Sequence, residues 1–324
     1  MRKITKIFLA VLTVCVSALM LVQLSFAADV SSKAGKVKTS GGNLNIRKSA
    51  SVSSEILKTA KNKSYLTLMK KSGDWWRVEY AKNKYGYCHK DYISSVSASF
   101  SAAVNTASGV LNVRSGAGAS YEVKETLKKG TVVVVISEKD AWSRILYNGN
   151  KTGYVSSAYL KKDAYKKVSL DVPYFSQTDS RWAKVPIGTQ GDTLGSAGCP
   201  TTCLAMTESF RTGSVINPKT MSQKLSYSSS GMLYWPQSYV TELVNKENYL
   251  EKIHSVLKKG KPVIFGMKKS GSSSQHWVVV KSFDGGYTLS SGAFGVNDPG
   301  SKTRTVLSQV METYPVPYKI AYVK

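Results

Sequence analysis

The chain alternates short apolar runs with polar turns between Asn43 and Leu160. Three runs rich in aromatic and β-branched residues, SYLTLMKK, WWRVEY and YGYCHKDYI, follow one another, and three similar runs come later: TVVVVISE, WSRILY and TGYVSSAYL. Such runs, separated by turn residues, are typical of β-strands. Because several short strands fall within roughly 55 residues each time, the pattern predicts two small barrels.

The two sets of runs are copies of one unit. NLNIRKSAS, which begins at Asn43, matches VLNVRSGAG, which begins at Val110, without a gap. Four further pairs lie 67 positions apart: Arg47 and Arg114, Trp75 and Trp142, Gly86 and Gly153, and Tyr92 and Tyr159. A constant offset indicates a repeated folding unit. The serine- and alanine-rich stretch SSVSASFSAAVNTAS predicts a linker that runs into the opening strand of the second copy.

The pattern changes from Leu170 onward, where helical patterns mix with strands. TTCLAMTESF has helical character, and Pro200 suits the first helical position, which places Cys199 at the N-cap. Unpaired backbone N–H groups and the positive end of the helix dipole favour a thiolate there, so we expect a lowered pKa for Cys199. Cys203 lies one helical turn further along, where the backbone N–H groups are paired and do not stabilise a thiolate.

Two polar residues downstream suit a thiol nucleophile. His276 follows a small-residue loop and begins the apolar strand HWVVV, and Asp298 ends another short run in the turn NDPG. A histidine and an acid on neighbouring strands can align a general base with its orienting group. Asn297 is an alternative orienter. His254 and His89 compete less well, because one flanks a helix face and the other belongs to the first repeat.

Other roles for the cysteines fit the sequence less well. A disulfide between Cys199 and Cys203 across a helix start has awkward geometry. A zinc site needs more ligands, and the three histidines form no cluster with them. Packing of both thiols as hydrophobic groups remains an alternative. Cys88 aligns with Val155 in a strand, so we expect it to pack in the barrel core.

The first residues have the pattern of a secretory signal peptide. MRKITK is basic, an apolar run follows, and Ser25 and Ala27 provide small residues before Ala28. This arrangement predicts a signal over residues 1–27 and an exported protein without stable membrane insertion. An uncleaved membrane anchor is the alternative, because the apolar run is nearly long enough to span a bilayer. Removal of the signal leaves three cysteines, so at least one thiol stays free or pairs between molecules, and so few cysteines exclude a disulfide scaffold.

The charge of the chain indicates a class of partner. Its 45 basic and 20 acidic residues give a net charge of +25, and only eight of the basic residues are arginines. Lysine acts as a hydrated point charge, whereas nucleic-acid recognition favours the planar fork of arginine. A lysine-dominated exported surface therefore predicts loose attraction to bacterial wall polymers or anionic lipid, and no nucleic-acid partner. Simple solubility is the alternative explanation.

The two repeats resemble bacterial SH3-like domains. Those domains share the opening LNVRSGAG, a tryptophan in mid-domain and the ending GYVSSAYL. The resemblance implies SH3-like barrels over residues 38–96 and 105–162. Known relatives act as targeting modules, often for bacterial cell walls, so the resemblance also implies cell-wall polymers as partners.

Residues 169–324 resemble the papain-like cysteine peptidases of the bacteriocin-leader-processing (C39-like) type. The matching pieces are VPYFSQ, GCPTTCLAM, KKGKPVIFGM, HWVVV and NDPG. The resemblance implies that Cys199 is the nucleophile, His276 the general base and acid, and Asp298 its orienter. It also implies that Gln177 and the backbone N–H of Cys199 hold the oxyanion.

Other glutamines could take the role of Gln177 as the side-chain donor to the oxyanion. Gln177 precedes Cys199 by 22 residues, and many papain-like enzymes place this glutamine much nearer to the cysteine. Gln190 and Gln275 therefore remain alternatives for the side-chain donor.

These observations predict a multidomain chain of two small all-β SH3-like barrels followed by an α+β papain-like cysteine peptidase domain. We expect a secreted hydrolase, associated with the cell wall of a Gram-positive bacterium, that cleaves peptidoglycan peptides or surface proteins without a metal or organic cofactor. Two alternatives remain. One is a non-catalytic wall-binding protein with a degenerate peptidase domain, and the other is an acyltransferase or transamidase that uses the same acyl-enzyme.

Overall fold

The computed structural model describes residues 31–324, so the predicted signal peptide, residues 1–27, lies outside the described residues. Across 31–324, every helix is too short or too polar to span a bilayer. The first all-β region contains seven strands: β1 Lys33–Val37, β2 Leu44–Arg47, β3 Ile56–Ala60, β4 Tyr65–Ser72, β5 Trp75–Ala81, β6 Lys84–His89 and β7 Ile93–Ser95.

The second all-β region repeats this arrangement. Its strands are β8 Phe100–Val104, β9 Val110–Arg114, β10 Val123–Lys128, β11 Val132–Lys139, β12 Trp142–Tyr147, β13 Lys151–Ser156 and β14 Leu160–Lys161. The strand order is the same in both regions: β3-β2-β6-β5-β4-β1-β7 in the first and β10-β9-β13-β12-β11-β8-β14 in the second. The predicted repeat of an all-β unit is therefore confirmed.

The stretch predicted to be a linker, residues 94–108, includes the end of β7 and the whole of β8, and its other residues connect these strands. β8 pairs antiparallel with β11 and places Ala102 and Val104 in the core of the second region. The prediction of a linker was wrong here because alanine and serine are small enough to be buried against a neighbouring strand. β1 and β8 also precede the residues 38 and 105 at which we expected the two barrels to begin.

Cys88 lies in the core of the first region, as predicted. Its side chain is fully buried among Ile46, Leu66 and Val78, and it forms no disulfide. Burial raises the pKa of the Cys88 thiol to about 12. Cys88 therefore acts as a small hydrophobic side chain.

The C-terminal region combines helices with an antiparallel sheet. Its helices are α1 Leu194–Ala197, α2 Cys199–Thr212, α3 Pro218–Ser222, α4 Tyr249–Leu257 and α5 Leu307–Met311. Its strands are β15 Val168–Ser169, β16 Ser226–Tyr227, β17 Leu233–Tyr234, β18 Tyr239–Leu243, β19 Val263–Lys268, β20 Gln275–Phe283, β21 Phe294–Asn297 and β22 Val316–Val323. The main sheet has the order β15-β20-β19-β22-β18. A further strand, β21, lies off this path and also pairs with β20.

The main sheet is covered on both faces. Successive side chains of a strand point to opposite faces, and β20 follows this rule. Trp277 and Val279 pack with the buried side chains of α2, whereas Val278 and Val280 pack with α4 and α5. β20 is therefore buried on both faces from His276 to Val280, and Gln275 at its start is exposed.

Candidate active site

Helix α2 begins at Cys199, one residue earlier than the sequence predicted. Gly198 occupies the N-cap, and α1 ends directly before it, with the Gly198 N–H donating to the carbonyl of Leu194. A Cβ atom at position 198 would lie 2.3 Å from that carbonyl oxygen, so only glycine fits between the two helices. The placement of Cys199 at the N-cap was therefore wrong, because it took no account of the short helix α1.

Cys199 borders a cavity with a volume of about 580 Å³. The same cavity is lined by Gln177 and His276, and Gln275 lies at its exposed rim. Cys199 is buried but keeps 8% of its surface accessible, whereas Cys203 is fully buried and packs in the core behind it. Three of the four residues expected in the site thus line one cavity, and Cys203 does not.

His276 and Asp298 form a direct contact. His276 is the second residue of β20, and Asp298 immediately follows β21, which pairs with β20. The His276 Nε2 atom lies 2.6 Å from Asp298 Oδ1, and both side chains are buried. The backbone N–H of Gly300 also donates to Asp298 Oδ1 at 2.8 Å. The carboxylate is thus held against the ring.

Asn297, the alternative orienter, has other partners. Its Nδ2 group donates to the carbonyl oxygens of Val172 and Pro173, at 2.9 and 3.1 Å. These bonds attach the segment before Gln177 to the sheet. Asn297 therefore has a supporting position, and Asp298 is the residue that contacts the imidazole.

Gln177 is the glutamine that the fold buries in the cavity wall. Its backbone N–H donates to the carbonyl of Pro299, and its Nε2 group donates to the carbonyl of Gly195 at 2.9 Å. The Oε1 atom is buried without a hydrogen-bond partner among the described residues. Gln190 is exposed and lies outside the cavity lining. These contacts favour Gln177 over Gln190 as a group that can face a bound substrate.

The long insertion between Gln177 and Cys199 forms a small core of its own. Trp182, Ile187 and Leu194 are buried together, and the indole N–H of Trp182 donates to the carbonyl of Ser176 at 2.7 Å. This core fixes the backbone on both sides of Gln177. It explains how a glutamine 22 residues before the cysteine still lines the same cavity.

Burial dominates the electrostatics of Cys199. It raises the pKa of the Cys199 thiol to about 12, although the backbone N–H groups of Trp277 and of Cys199 itself lower it in part. The expectation of a lowered pKa was wrong, because packing against β20 removes more water than the helix start can offset. The influence of the Trp277 N–H also puts the sulfur next to the strand that carries His276.

Arg304 is a residue of the site that the sequence reasoning missed. Its Nε atom lies 2.8 Å from Asp298 Oδ2, in an ion pair too bent for a good hydrogen bond, and its side chain borders the cavity. Asp298 has no exposed surface, whereas Arg304 is 26% exposed. Asp298 is therefore a carboxylate between a guanidinium and an imidazole. No pattern in the sequence singled out Arg304.

The remaining histidines lie elsewhere. His254 packs between the rings of Tyr165 and Phe283, and burial lowers its pKa. His89 contacts Trp75 in the first all-β region. Within residues 31–324, no three His, Cys, Asp or Glu side chains come together as a metal site would require.

Comparison with known families accounts for most of the chain. Residues 42–94 and 109–161 each match the family described as Bacterial SH3 domain. Residues 169–321 match the family described as Peptidase_C39 like family.

Named relatives cover shorter parts of the chain. A putative N-acetylmuramoyl-L-alanine amidase, YrvJ, from Bacillus subtilis (strain 168) is 28% identical over 139 residues, which are 41% of this chain and 27% of that protein. A probable endopeptidase p60 from Listeria innocua is 47% identical over 55 residues, 17% of this chain and 12% of that protein. This chain thus spans about a quarter or less of the length of these relatives. The solved structure of NlpC2 from Trichomonas vaginalis has 13% identity and a TM-score of 0.21 over 91% of this chain and 99% of that one.

The raised pKa predicts a pH-dependent reactivity of Cys199. Because the thiolate is the nucleophile, and its fraction grows about tenfold per pH unit below the pKa, alkylation should accelerate as the pH rises. We expect the rate at which iodoacetamide modifies Cys199 to increase about a hundredfold between pH 7 and pH 9. Peptide mass spectrometry of the intact protein measures this rate. Cys88, which is fully buried, is the control for access and should stay unmodified. A Cys199 rate that does not change over this range would indicate a preformed thiolate.

Loss of the Arg304 charge should destabilise the fold around the site. In Arg304→Gln the buried Asp298 carboxylate loses its cationic partner. We expect the free energy of unfolding to fall by about 1–3 kcal/mol. This loss is smaller than for a fully buried ion pair, because Arg304 is partly exposed. Urea unfolding of the full chain measures this change. Arg181→Gln is the matched control, because the Arg181–Asp179 pair lies at the surface, with Arg181 72% exposed. Equal stability of Arg304→Gln and the unmodified protein would show that the ion pair is unimportant.

Proposed function

Because this chain carries two bacterial SH3 domains followed by a Peptidase_C39-like domain, we propose that it is an exported cysteine peptidase that acts at the bacterial cell wall. Its third domain, of papain-like fold, hydrolyses peptide bonds through Cys199, His276 and Asp298. The observation that carries the proposal is that Cys199 and His276 line one cavity while Asp298 contacts Nε2 of the imidazole.

The geometry supports different roles for the two ring nitrogens of His276. Asp298 engages Nε2 of His276, which leaves Nδ1 for proton exchange with Cys199. With the pKa of the Cys199 thiol raised to about 12, the thiol carries its proton in the free enzyme. His276 therefore acts as a general base that removes this proton as the sulfur attacks the substrate carbonyl, and Asp298 stabilises the imidazolium that forms.

The tetrahedral intermediate needs hydrogen-bond donors at its oxyanion. The backbone N–H of Cys199 and the second Nε2 proton of Gln177, whose first proton binds the Gly195 carbonyl, are the candidates. A donor of this kind supplies about 3 kcal/mol of transition-state stabilisation. The imidazolium then returns its proton to the leaving amine as the C–N bond breaks. Water hydrolyses the thioester: His276 takes the proton from that water as it attacks, and returns it to the sulfur as the C–S bond breaks.

The domains around the peptidase support a class of substrate. One relative is named as a putative N-acetylmuramoyl-L-alanine amidase and another as a probable endopeptidase p60. Together with the two SH3 domains, these names support a wall-associated substrate, so we propose the peptides of peptidoglycan. The predicted signal over residues 1–27 and the net charge of +25 agree with export to a polyanionic wall.

The first SH3 domain offers a groove for a wall ligand. His89 contacts both Trp75 and Tyr92, and the three residues line a cavity of about 460 Å³ together with Arg47. Aromatic faces beside polar groups suit a ligand that is part apolar and part hydrogen-bonding. We propose that this groove contributes to wall binding.

Substitution of the two cysteines of α2 tests the catalytic proposal. Cys199→Ala should lower the rate at which new termini appear at least about a thousandfold, because the nucleophile is lost. Cys203→Ala should keep most of the activity, since Cys203 packs in the core behind the cavity. Mass spectrometry of digests of purified peptidoglycan, and separately of a protein mixture, measures both.

The same digests separate the alternatives. Activity that survives Cys199→Ala but not Cys203→Ala would overturn the choice of nucleophile. No new termini with either substrate would favour a non-catalytic wall-binding protein. Peptides extended by an added amine, in place of hydrolysed ends, would indicate an acyltransferase.

Co-sedimentation with purified cell walls tests the groove. In the inactive Cys199→Ala chain, Trp75→Ala should weaken wall binding about five- to tenfold, because an aromatic face of the groove is removed. Trp142→Ala, at the equivalent position of the second SH3 domain, is the matched comparison. Unchanged binding after Trp75→Ala would remove the first groove from the proposal.

A further inference from the structure

The main sheet contains an irregularity beside the cavity. β19 and β22 pair Gly266 with Lys319 but Met267 with Pro317, so Tyr318 is an extra residue opposite no partner. A bulge of this kind turns side chains away from the regular alternation and often does so next to active sites. As a result, the adjacent residues Tyr318 and Lys319 both border the cavity that contains Cys199.

Two lysines share the ring of Tyr318. The Nζ atom of Lys268 lies 4.1 Å from the ring centroid, and that of Lys319 lies 5.3 Å from it. Each ammonium gains from the negative face of the ring, but two like charges so close to one ring repel each other. Neither lysine takes part in an ion pair within the described part of the chain. Their positive charge is therefore available to a ligand.

The carboxylates near the cavity are already engaged. Asp298 holds His276 and Arg304, and Asp192 accepts a hydrogen bond from Ser196 on the opposite rim. Arg304, the other permanent cation of the lining, is paired with Asp298. Lys319 is thus the cation of the cavity lining that has no carboxylate partner, and Lys268 lies beside the lining, against the ring of Tyr318.

Lys268 lies on β19, next to β20, the strand that carries His276. Lys268 pairs with Gln275, and the preceding Met267 pairs with His276. A peptide whose scissile bond meets Cys199 and His276 therefore has residues within reach of this end of the sheet. Both lysines are half-buried, which reduces the screening of their charge by solvent.

We propose that Lys268 and Lys319 form a subsite for a side-chain carboxylate of the substrate peptide, close to the bond that is cleaved. The inference rests on the proposed peptidase function. It assigns acidic peptides as the preferred substrates and Tyr318 as the platform that positions the two ammonium groups.

Cleavage of paired peptides tests the subsite. A peptide mixture digested by the full chain first reveals cleavage sites with Asp or Glu nearby, and synthetic peptides with that residue or its amide counterpart are then compared. We expect kcat/KM to be at least about fivefold higher for the acidic peptide, which corresponds to a partly exposed ion pair. The double variant Lys268→Gln, Lys319→Gln should bring the ratio close to one. High salt should lower the ratio for the unmodified chain.

Controls make the result specific. Lys281→Gln removes the same charge from a half-buried position further along β20, and it should leave the ratio unchanged. The double variant Lys268→Glu, Lys319→Glu should reverse the preference towards peptides with Lys or Arg. Cleavage with equal kcat/KM for acidic and amide peptides would overturn the subsite while leaving the peptidase intact.

A binding experiment separates the two proposals. The Cys199→Ala chain is immobilised, and the acidic and amide peptides compete for it in one mixture. Preferential retention of the acidic peptide, lost when Lys268→Gln and Lys319→Gln are added to the Cys199→Ala chain, supports the subsite by a readout that does not depend on turnover. Equal retention of both peptides counts against the subsite.

Discussion

The packing of helix α2 across strand β20 is the contact on which the candidate site depends. Cys203 and Leu204 of α2 share a core with Trp277 and Val279 of β20. Because β20 is buried on both faces, the strand cannot shift without disrupting two cores. Cys199, the first residue of α2, and His276, the second residue of β20, are thereby held at one cavity. The same packing removes water from the sulfur and raises the pKa of the Cys199 thiol to about 12.

The sequence predicted the features that depend on local pattern or on repetition. The 67-residue offset was sufficient to identify two all-β units and to place Cys88 in a core, because alternation in one copy could be checked against the other. His276 and Asp298 could be found from short apolar runs that end in polar residues. Their contact is made through the pairing of β20 with β21, and each residue stands at a strand end that was visible in the sequence.

What the sequence could not predict arises from contacts between distant segments. The pKa of Cys199 depends on desolvation by β20, some 75 residues away in the chain, and a helix-dipole argument contains no such effect. Arg304 reaches Asp298 through the geometry of a turn, and the lysines meet at Tyr318 through a bulge. The strand β8 was mistaken for a linker because alanine and serine signal burial only when a neighbouring strand is known.

A protonated thiol has consequences for a protein that works outside the cytoplasm, as we propose for this one. Oxidants react with thiolates far faster than with thiols, so a buried sulfur with a raised pKa is protected from oxidation while no substrate is present. In the mechanism proposed above, such a sulfur still reacts when a carbonyl is positioned against it, because His276 removes the proton in the same step. Binding of the substrate is then what activates the nucleophile. Under the same proposal, lysines that hold the peptide beside the cavity contribute to the chemical step as well as to the choice of substrate, since only a correctly placed carbonyl meets the sulfur and the imidazole together.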